Sequence, residues 1–165
     1  MRLTDAADPW PPRTEAGAVV PKSVLVHAST VAFGSDAGIL IEGPSGSGKS
    51  RLALALVACG AQLVADDRSL VFRTASGLFV RPPRSISGLI EARGVGILRL
   101  AARRLARAVL VIGLQADGAV LPRLPDSRQC ERLGRSLPWQ AGPGAADEVP
   151  GFARALALQL RHGLA

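Results

Sequence analysis

The chain has 165 residues, 48% of them hydrophobic, which is enough for one domain with a core. No apolar run is long enough to span a membrane, and the N-terminus lacks the charged-then-apolar pattern of an export signal, so we expect neither insertion nor export. The net charge is +7, but the arginines are scattered and aromatic residues make up only 4%, so we expect no nucleic-acid partner. Cys59 and Cys130 lack metal-ligand spacing, and we expect a cytoplasmic protein.

Short apolar segments recur along the chain, and most of them have the length and composition of strands. We expect a loose leader over residues 1–20 and a single domain over 21–165. Strands are predicted over residues 23–28, 30–33, 38–42, 62–65, 69–73, 78–81 and 108–114. Strands outnumber helices and hairpins flank the central part, so we predict an α/β fold with a mixed sheet rather than a parallel, doubly wound one.

Two helices and two irregular regions complete this prediction. A helix is predicted over 51–58, ending at Gly60, and another over 149–162, whose apolar stripe is typical of core packing or of a subunit interface. Residues 115–148 are rich in Pro, Gly and Arg, which indicates loops. Arginines concentrate over 103–107 on a predicted short helix, either as a solvated face or as a surface for an acidic partner.

Residues 43–50 match the phosphate-binding pattern G-x-x-x-x-G-K-S, and we call them the phosphate loop. They follow a predicted strand and precede a predicted helix, as this pattern requires. Backbone N–H groups of such a loop surround phosphate oxygens at the positive end of the helix. Lys49 is expected to reach the outer phosphates and Ser50 to ligate Mg²⁺. The candidate phosphate-binding residues are Gly43, Pro44, Ser45, Gly46, Ser47, Gly48, Lys49 and Ser50.

Two adjacent carboxylates, Asp66 and Asp67, follow the predicted strand over 62–65. Neighbouring side chains of an extended chain point to different sides. One carboxylate is then able to face the metal and the phosphates, while the other faces an acceptor hydroxyl or holds the loop. The alternative is that one of them only caps the turn into Arg68.

Glu91, Arg93 and His27 are further candidates. Glu91 and Arg93 alternate along a stretch that we predict to be extended, which places both side chains on one face. They suit a metal ligand and a phosphate-binding cation, or equally a structural ion pair beside a glycine bend. Taken alone, His27 on an apolar strand indicates a hydrogen-bonded core histidine.

Taken together, these motifs resemble the catalytic domain of HPr kinase/phosphorylase. The matching segments are Val26-His27-Ala28, the phosphate loop, Leu63-Val64-Ala65-Asp66-Asp67 and Leu89 to Ile97, whose Glu91-Ala92-Arg93-Gly94-Val95-Gly96-Ile97 resembles the family's E-x-R-G-x-G-I signature. The likeness covers residues 23 to about 140. The chain is similar to the short alphaproteobacterial form, which lacks the family's separate N-terminal domain.

The resemblance implies a fold related to phosphoenolpyruvate carboxykinase and phosphorylation of a seryl hydroxyl on an HPr-like phosphocarrier protein. The donor would be ATP or pyrophosphate with Mg²⁺, the reverse phosphorolysis is known in the family, and relatives form homo-oligomers. Lys49 would bind phosphate, and Ser50 and Glu91 would hold Mg²⁺. The resemblance assigns the seryl proton to Asp67, supported by Asp66 and His27. The family's catalytic arginine corresponds best to Arg123, before Leu124-Pro125, with Arg132 as its rival.

Arg51 departs from the family pattern, because many members carry an acidic residue after the loop serine. Arg51 therefore keeps open the alternative of an ATP-sensing regulator without efficient transfer. A kinase of this fold with another acceptor is a separate alternative. The region after Pro125 matches the family poorly, which leaves the phosphorylase direction as an open expectation.

Overall fold

The computed structural model describes residues 23–115, 120–124, 126 and 128–162, so the predicted leader over 1–20 lies outside the described residues. The described chain forms eleven strands and two helices. The strands are β1 (Ser23–Val26), β2 (Ala28–Ala32), β3 (Gly38–Glu42), β4 (Gln62–Ala65), β5 (Ser69–Thr74), β6 (Gly77–Arg81), β7 (Leu89–Ala92), β8 (Gly96–Arg99), β9 (Ala106–Gly113), β10 (Arg128–Arg132) and β11 (Arg135–Ala141). The helices are α1 (Lys49–Ala58) and α2 (Val149–His162), and a short 3₁₀ turn covers Arg84–Ile86.

Nine strands form one mixed sheet that branches at β9. Its main path runs β1-β5-β6-β9-β3-β2-β4, while β11 also pairs with β9 and carries β10 on its other edge. Strands β3 and β11 run parallel to β9, and the other pairs of this sheet are antiparallel. Strands β7 and β8 form a separate antiparallel hairpin. The predicted mixed-sheet α/β fold is confirmed.

Side chains that alternate along the central strands supply two hydrophobic cores. On β3, Ile39 and Ile41 face one core and Leu40 faces the other, as the two-residue period of a strand requires. The two helices cover the first core with α1 residues Leu52 and Leu56 and with α2 residues Ala153 and Leu156. Strands β5, β6 and β11 close the second core with Val71, Val80 and Leu137.

Helix α1 ends at Ala58, two residues before Gly60, the glycine that the sequence predicts as its stop. Gly60 adopts φ 98°, a left-handed conformation in which a residue with a side chain would be strained. Its N–H donates to Val57 O over 2.9 Å, and the N–H of Ala61 donates to Leu56 O over 3.0 Å. This pair of bonds satisfies carbonyls that the helix end leaves open. Because the helix stops here, the chain reverses at once into β4.

Helix α2 spans the predicted residues 149–162, and its apolar stripe packs on the first core. Leu156 is buried, and Phe152 and Leu160 pack against the same cluster, which confirms the core-packing interpretation. No helix of the described residues is long and apolar enough to cross a membrane.

The predictions for two segments that follow β8 are wrong. Residues 115–148 are not all loops, because β10 and β11 form a hairpin whose second strand pairs with β9. The arginines over 103–107 do not lie on a helix. The N–H of Arg103 instead donates to Leu63 O over 2.7 Å, and Arg107 belongs to β9. Long-range strand pairing decides both segments, and local composition does not report it.

Candidate active site

The phosphate loop connects β3 to α1 in a conformation that suits an anion. Gly46 and Gly48 have φ angles of 79° and 93°. The N–H of Ser47 donates to Pro44 O over 3.2 Å and closes the loop. No side chain caps the N-terminus of α1, and its first turn contains no acidic residue. The first N–H groups of the helix are therefore open to a ligand with phosphate oxygens.

Lys49 is the first residue of α1 and lies folded back against the loop. Its side chain is largely buried, and Nζ donates to Gly43 O over 2.9 Å and to Pro44 O over 2.8 Å. Burial lowers the pKa of Lys49 below its ordinary value of 10.5, although the nearby charges of Asp67 and Asp66 oppose this shift. The lysine is thus a partly desolvated cation beside the open helix end, where the negative charge of a phosphate would stabilise it.

Asp66 is the buried member of the acidic pair, and it gathers three hydrogen bonds. Its Oδ1 accepts from Ser29 Oγ over 2.6 Å and from Ser50 Oγ over 2.8 Å. Its Oδ2 accepts from the N–H of Glu91 over 3.2 Å. A buried carboxylate needs such partners to offset the loss of water. Asp66 therefore joins β2, the phosphate loop and β7 at one point.

Asp67 points elsewhere because its backbone turns sharply. Its φ of 64° is left-handed, and the N–H of Arg68 donates to Asp66 O over 2.7 Å across it. Such a conformation costs a residue with a side chain about 1–3 kcal/mol and is concentrated at functional sites. The turn exposes the Asp67 carboxylate, whose Oδ1 lies 3.1 Å from His27 Nε2. Asp66 and Asp67 thus point in different directions through a turn rather than through an extended chain, and the division of their roles stays a prediction.

His27 is not a core histidine. It lies at the junction of β1 and β2, and 54% of its side chain is exposed. Within the described residues, this histidine and Asp67 face a common cleft with the phosphate loop. The ring nitrogen is close enough to the carboxylate to hold it in place.

The cleft has a volume of about 420 Å³ and collects most of the candidate residues. The loop and α1 contribute Ser45, Gly46, Gly48, Lys49, Ser50, Arg51 and Leu54, and the facing side contributes His27, Asp67, Glu91, Ala92 and Arg93. The expectation that Glu91 and Arg93 lie on one extended strand is wrong in part: Glu91 lies on β7, whereas Arg93 lies in the turn that follows. Both side chains nevertheless line the cleft.

The two candidate arginines after β9 lie in different surroundings. Arg123 is exposed in the segment 120–124 and does not line the cleft, so its catalytic role stays a prediction. Arg132 lies on β10 and forms an ion pair with Glu42 at the end of β3. Hydrogen bonding to Glu42 raises the pKa of Arg132, against the effect of burial. A guanidinium held in this way is a structural partner of the strand that feeds the phosphate loop.

The residues present fit Mg²⁺ bound together with phosphate rather than a metal held by protein alone. Among the described residues, no three His, Cys, Asp or Glu side chains form a group that could hold a metal ion. Ser50 and Glu91 are each attached to Asp66, through a side chain and a backbone N–H respectively. Mg²⁺ commonly takes one or two protein oxygens and completes its shell with phosphate oxygens and water.

Ser29 and Glu42 are parts of the site that the sequence analysis missed. Ser29 is fully buried on β2, and its only sequence signal is that it is one of two adjacent hydroxyl residues, with Thr30, in a strand whose other residues are apolar. Glu42 precedes the phosphate loop directly, but nothing local indicates that its partner lies on β10. Both residues act by holding neighbours rather than by lining the cleft.

The fold and the cleft define a class: a mixed-sheet α/β protein with a phosphate-binding loop and an acidic pair beside it. The sequence profile of the HPr Serine kinase C-terminal domain matches residues 19–109. The chain belongs to this family, as the resemblance of its motifs predicts.

Individual relatives agree with this assignment. HPr kinase/phosphorylase of Aromatoleum aromaticum is 38% identical over 141 residues, covering 75% of the chain and 45% of the relative. That of Lactococcus lactis is 52% identical over 62 residues, covering 37% of the chain and 20% of the relative. The chain thus spans less than half the length of these relatives.

A solved structure is also similar to the chain. The Hpr(Ser) kinase/phosphatase from Coxiella burnetii superposes with a TM-score of 0.69 at 26% sequence identity. The similarity covers 84% of the chain and 96% of that structure.

Proposed function

We propose that the chain is a serine kinase that transfers a phosphoryl group from ATP or pyrophosphate to an HPr-like phosphocarrier protein. The observation that carries the proposal is the division of the acidic pair. Asp66 is buried and bonded to Ser50, whereas the strained turn at Asp67 presents that carboxylate to the cleft beside His27. A protein that only binds a nucleotide does not need an exposed carboxylate such as Asp67 beside His27 in its cleft.

The donor's phosphates would lie at the N-terminus of α1. The open N–H groups of the first turn and the Lys49 ammonium supply positive charge there. Bound phosphate would replace the two carbonyl partners that Lys49 now has. Ser50 and Glu91 would hold Mg²⁺, which neutralises charge on the transferred group. Asp66 fixes both of these residues from the buried side.

The acceptor's seryl hydroxyl would approach from the side of Asp67. As the seryl oxygen bonds to phosphorus, the bond from phosphorus to the leaving diphosphate or phosphate breaks, and the seryl proton passes to Asp67. The His27 ring keeps that carboxylate oriented. Arg123 remains our choice for the family's catalytic arginine, and the ion pair of Arg132 with Glu42 argues against the rival.

The family names of the relatives support HPr as the acceptor and a reversible reaction, since several are called HPr kinase/phosphorylase. We extend these properties to the chain as part of the proposal, together with a cytoplasmic site of action, where ATP and phosphocarrier proteins meet. We also propose homo-oligomers, and the resemblance of the motifs to a family whose members form them supports this.

A second candidate function, an ATP-sensing regulator, rests on Arg51. This arginine is exposed, lines the cleft and lies in the first turn of α1, where the helix dipole disfavours a cation. A bound polyanion would relieve that repulsion. Arg51 would then bind the phosphates of ATP tightly, and the protein would retain ATP without transferring a phosphoryl group.

Incubation with Mg-ATP or Mg-pyrophosphate and purified HPr separates these functions. We expect phosphoserine on HPr, detected by mass spectrometry, and its loss in Lys49→Met. ATP binding by calorimetry without transfer to HPr would support the sensor. Transfer to a different acceptor, with HPr left unmodified, would support the alternative kinase.

A further inference from the structure

The β7–β8 hairpin carries exposed apolar side chains next to the cleft. Its inner face packs on the first core through Ile90 and Leu98. Its turn and outer face leave Val95 and Ile97 with 76% and 72% of their surface exposed. We call Arg93, Val95, Ile97 and Arg99 the hairpin lip. A single exposed apolar residue is ordinary, but two of them on one short hairpin form a small hydrophobic patch that can contact a partner.

The hairpin lip is continuous with the proposed catalytic cleft. In the hairpin register, Ile97 is paired directly with Glu91, so the two side chains are neighbours on the outer face. Glu91 and Arg93 themselves line the cleft. A molecule that extends out of the cleft past Glu91 and Arg93 therefore meets Ile97 and, in the adjoining turn, Val95.

The hairpin is held firmly enough to serve as a docking edge. A two-stranded hairpin is marginal by itself. Here the N–H of Glu91 donates to Asp66 outside the hairpin. The N–H of Leu100 donates to Gly88 O over 2.8 Å and closes the open end of the hairpin itself. The buried inner face adds contacts with the first core. The base of the lip is thus tied to the same carboxylate that holds Ser50.

The positive charge of the hairpin lip indicates which side chains a partner would present to it. Arg93 and Arg99 flank the two apolar side chains. Glu91 is the one carboxylate on this face of the hairpin, and in the proposed function its charge is neutralised by Mg²⁺. The exposed positive charge of the lip matches carboxylates on a partner. A small metabolite confined to the cleft would reach neither Val95 nor Ile97. A protein surface with an apolar side chain and an acidic group close to the accepting hydroxyl would contact the whole lip.

We propose that the hairpin lip docks the protein acceptor and so favours a protein hydroxyl over a small-molecule hydroxyl. This proposal rests on the proposed kinase function. The contact contributes to acceptor binding and leaves the donor site unchanged. Loss of this contact should therefore raise the KM for the acceptor protein and leave the affinity for ATP unchanged.

The test compares the double variant Val95→Ser/Ile97→Ser with the control Leu158→Ser. Leu158 is an exposed leucine of α2 that does not line the cleft. With purified HPr as acceptor, we expect the double variant to raise the KM for HPr by about tenfold or more, as the loss of an anchor contact does. We expect kcat at saturating HPr and the calorimetric Kd for ATP to stay within about twofold of wild type, and the control to match wild type.

Arg99→Glu supplies a second readout. Reversing this charge should raise the KM for HPr at low salt and weaken its dependence on salt, because a screened attraction has been lost. All the altered side chains are exposed, so circular dichroism and the thermal midpoint should match those of wild type. An unchanged KM for HPr in the double variant, with normal wild-type transfer, would overturn the docking proposal alone.

Two other outcomes would overturn it by different routes. If sedimentation velocity shows that the double variant dissociates a wild-type oligomer, the lip is an interface between copies of the chain. If wild type binds ATP but transfers nothing to HPr, the proposed function fails and the docking proposal fails with it. The ATP Kd, measured on the same samples, distinguishes that result from a misfolded preparation.

Discussion

Asp66 and Asp67 are adjacent in the chain, but the left-handed backbone at Asp67 gives them different surroundings. Asp66 is buried among hydroxyl and N–H donors, whereas Asp67 is exposed beside His27. The sequence motif predicts two roles from alternation alone. It does not predict the turn at φ 64°, because a non-glycine residue rarely adopts that conformation without surrounding structure to hold it.

Ser29 should prove necessary for holding Asp66. Its hydroxyl donates to Asp66 over 2.6 Å from a fully buried position. Ser29→Ala removes one hydrogen bond to a buried charge, and we expect the free energy of unfolding to fall by about 1.5–3 kcal/mol. Urea unfolding at pH 7 measures this, with the exposed Ser76→Ala as control. A loss no larger than that of the control would contradict the role of Ser29.

The lowered pKa of Lys49 gives the stability of the ligand-free protein a defined pH dependence. Below 10.5 the unfolded chain binds more protons at this site than the folded protein, so this group makes wild type gain stability as pH rises. Lys49→Met lacks that gain. The free energy of unfolding of Lys49→Met minus that of wild type should therefore decrease between pH 7 and pH 10. Parallel urea titrations of the two proteins measure it, and a constant or increasing difference would be inconsistent with a lysine desolvated by folding.

At the scale of elements, the sequence predicts best where local signals are strong. The bounds of β3, β4 and α2 are predicted correctly from apolar runs and periodicity. Strands β10 and β11 are missed because Pro138 lacks the N–H of a regular strand and little of the hairpin is buried. Their place beside β9 is set by long-range pairing, with Trp139 opposite Val111. The ion pair of Glu42 with Arg132 is a consequence of that placement.

The Glu42–Arg132 pair should stabilise the junction between β10 and the strand before the phosphate loop. Both side chains are less than a third exposed. A double-mutant cycle with Glu42→Gln and Arg132→Gln should give a coupling energy of about 1 kcal/mol or more in urea unfolding. The matched control is the exposed pair of Asp126 with Arg128, at 3.3 Å, for which we expect a smaller coupling. Equal couplings for the two pairs would show that the first is only a surface contact.

At the scale of the whole molecule, motifs that are far apart in sequence meet at one cleft. The ends of β3 and β4 and the β7–β8 hairpin bring the phosphate loop, Asp67 and Glu91 together, and the buried Asp66 bonds to Ser50 and to the N–H of Glu91. The residue types and their order are enough to predict this grouping through the family resemblance. The branching of the sheet at β9 and the exposed hairpin lip are not predictable in this way, because neither leaves a periodic signal in the sequence.

The proposed kinase function, with Asp67 as the proton acceptor, is tested most directly by phosphoserine formation on HPr at saturating Mg-ATP. The rates of wild type and Asp67→Asn are compared. Asparagine keeps the shape of the side chain but cannot accept the seryl proton. We expect wild type to form phosphoserine and Asp67→Asn to be slower by about 100-fold or more, with an unchanged Kd for ATP. An undiminished rate in Asp67→Asn would contradict the assignment of Asp67 as the proton acceptor.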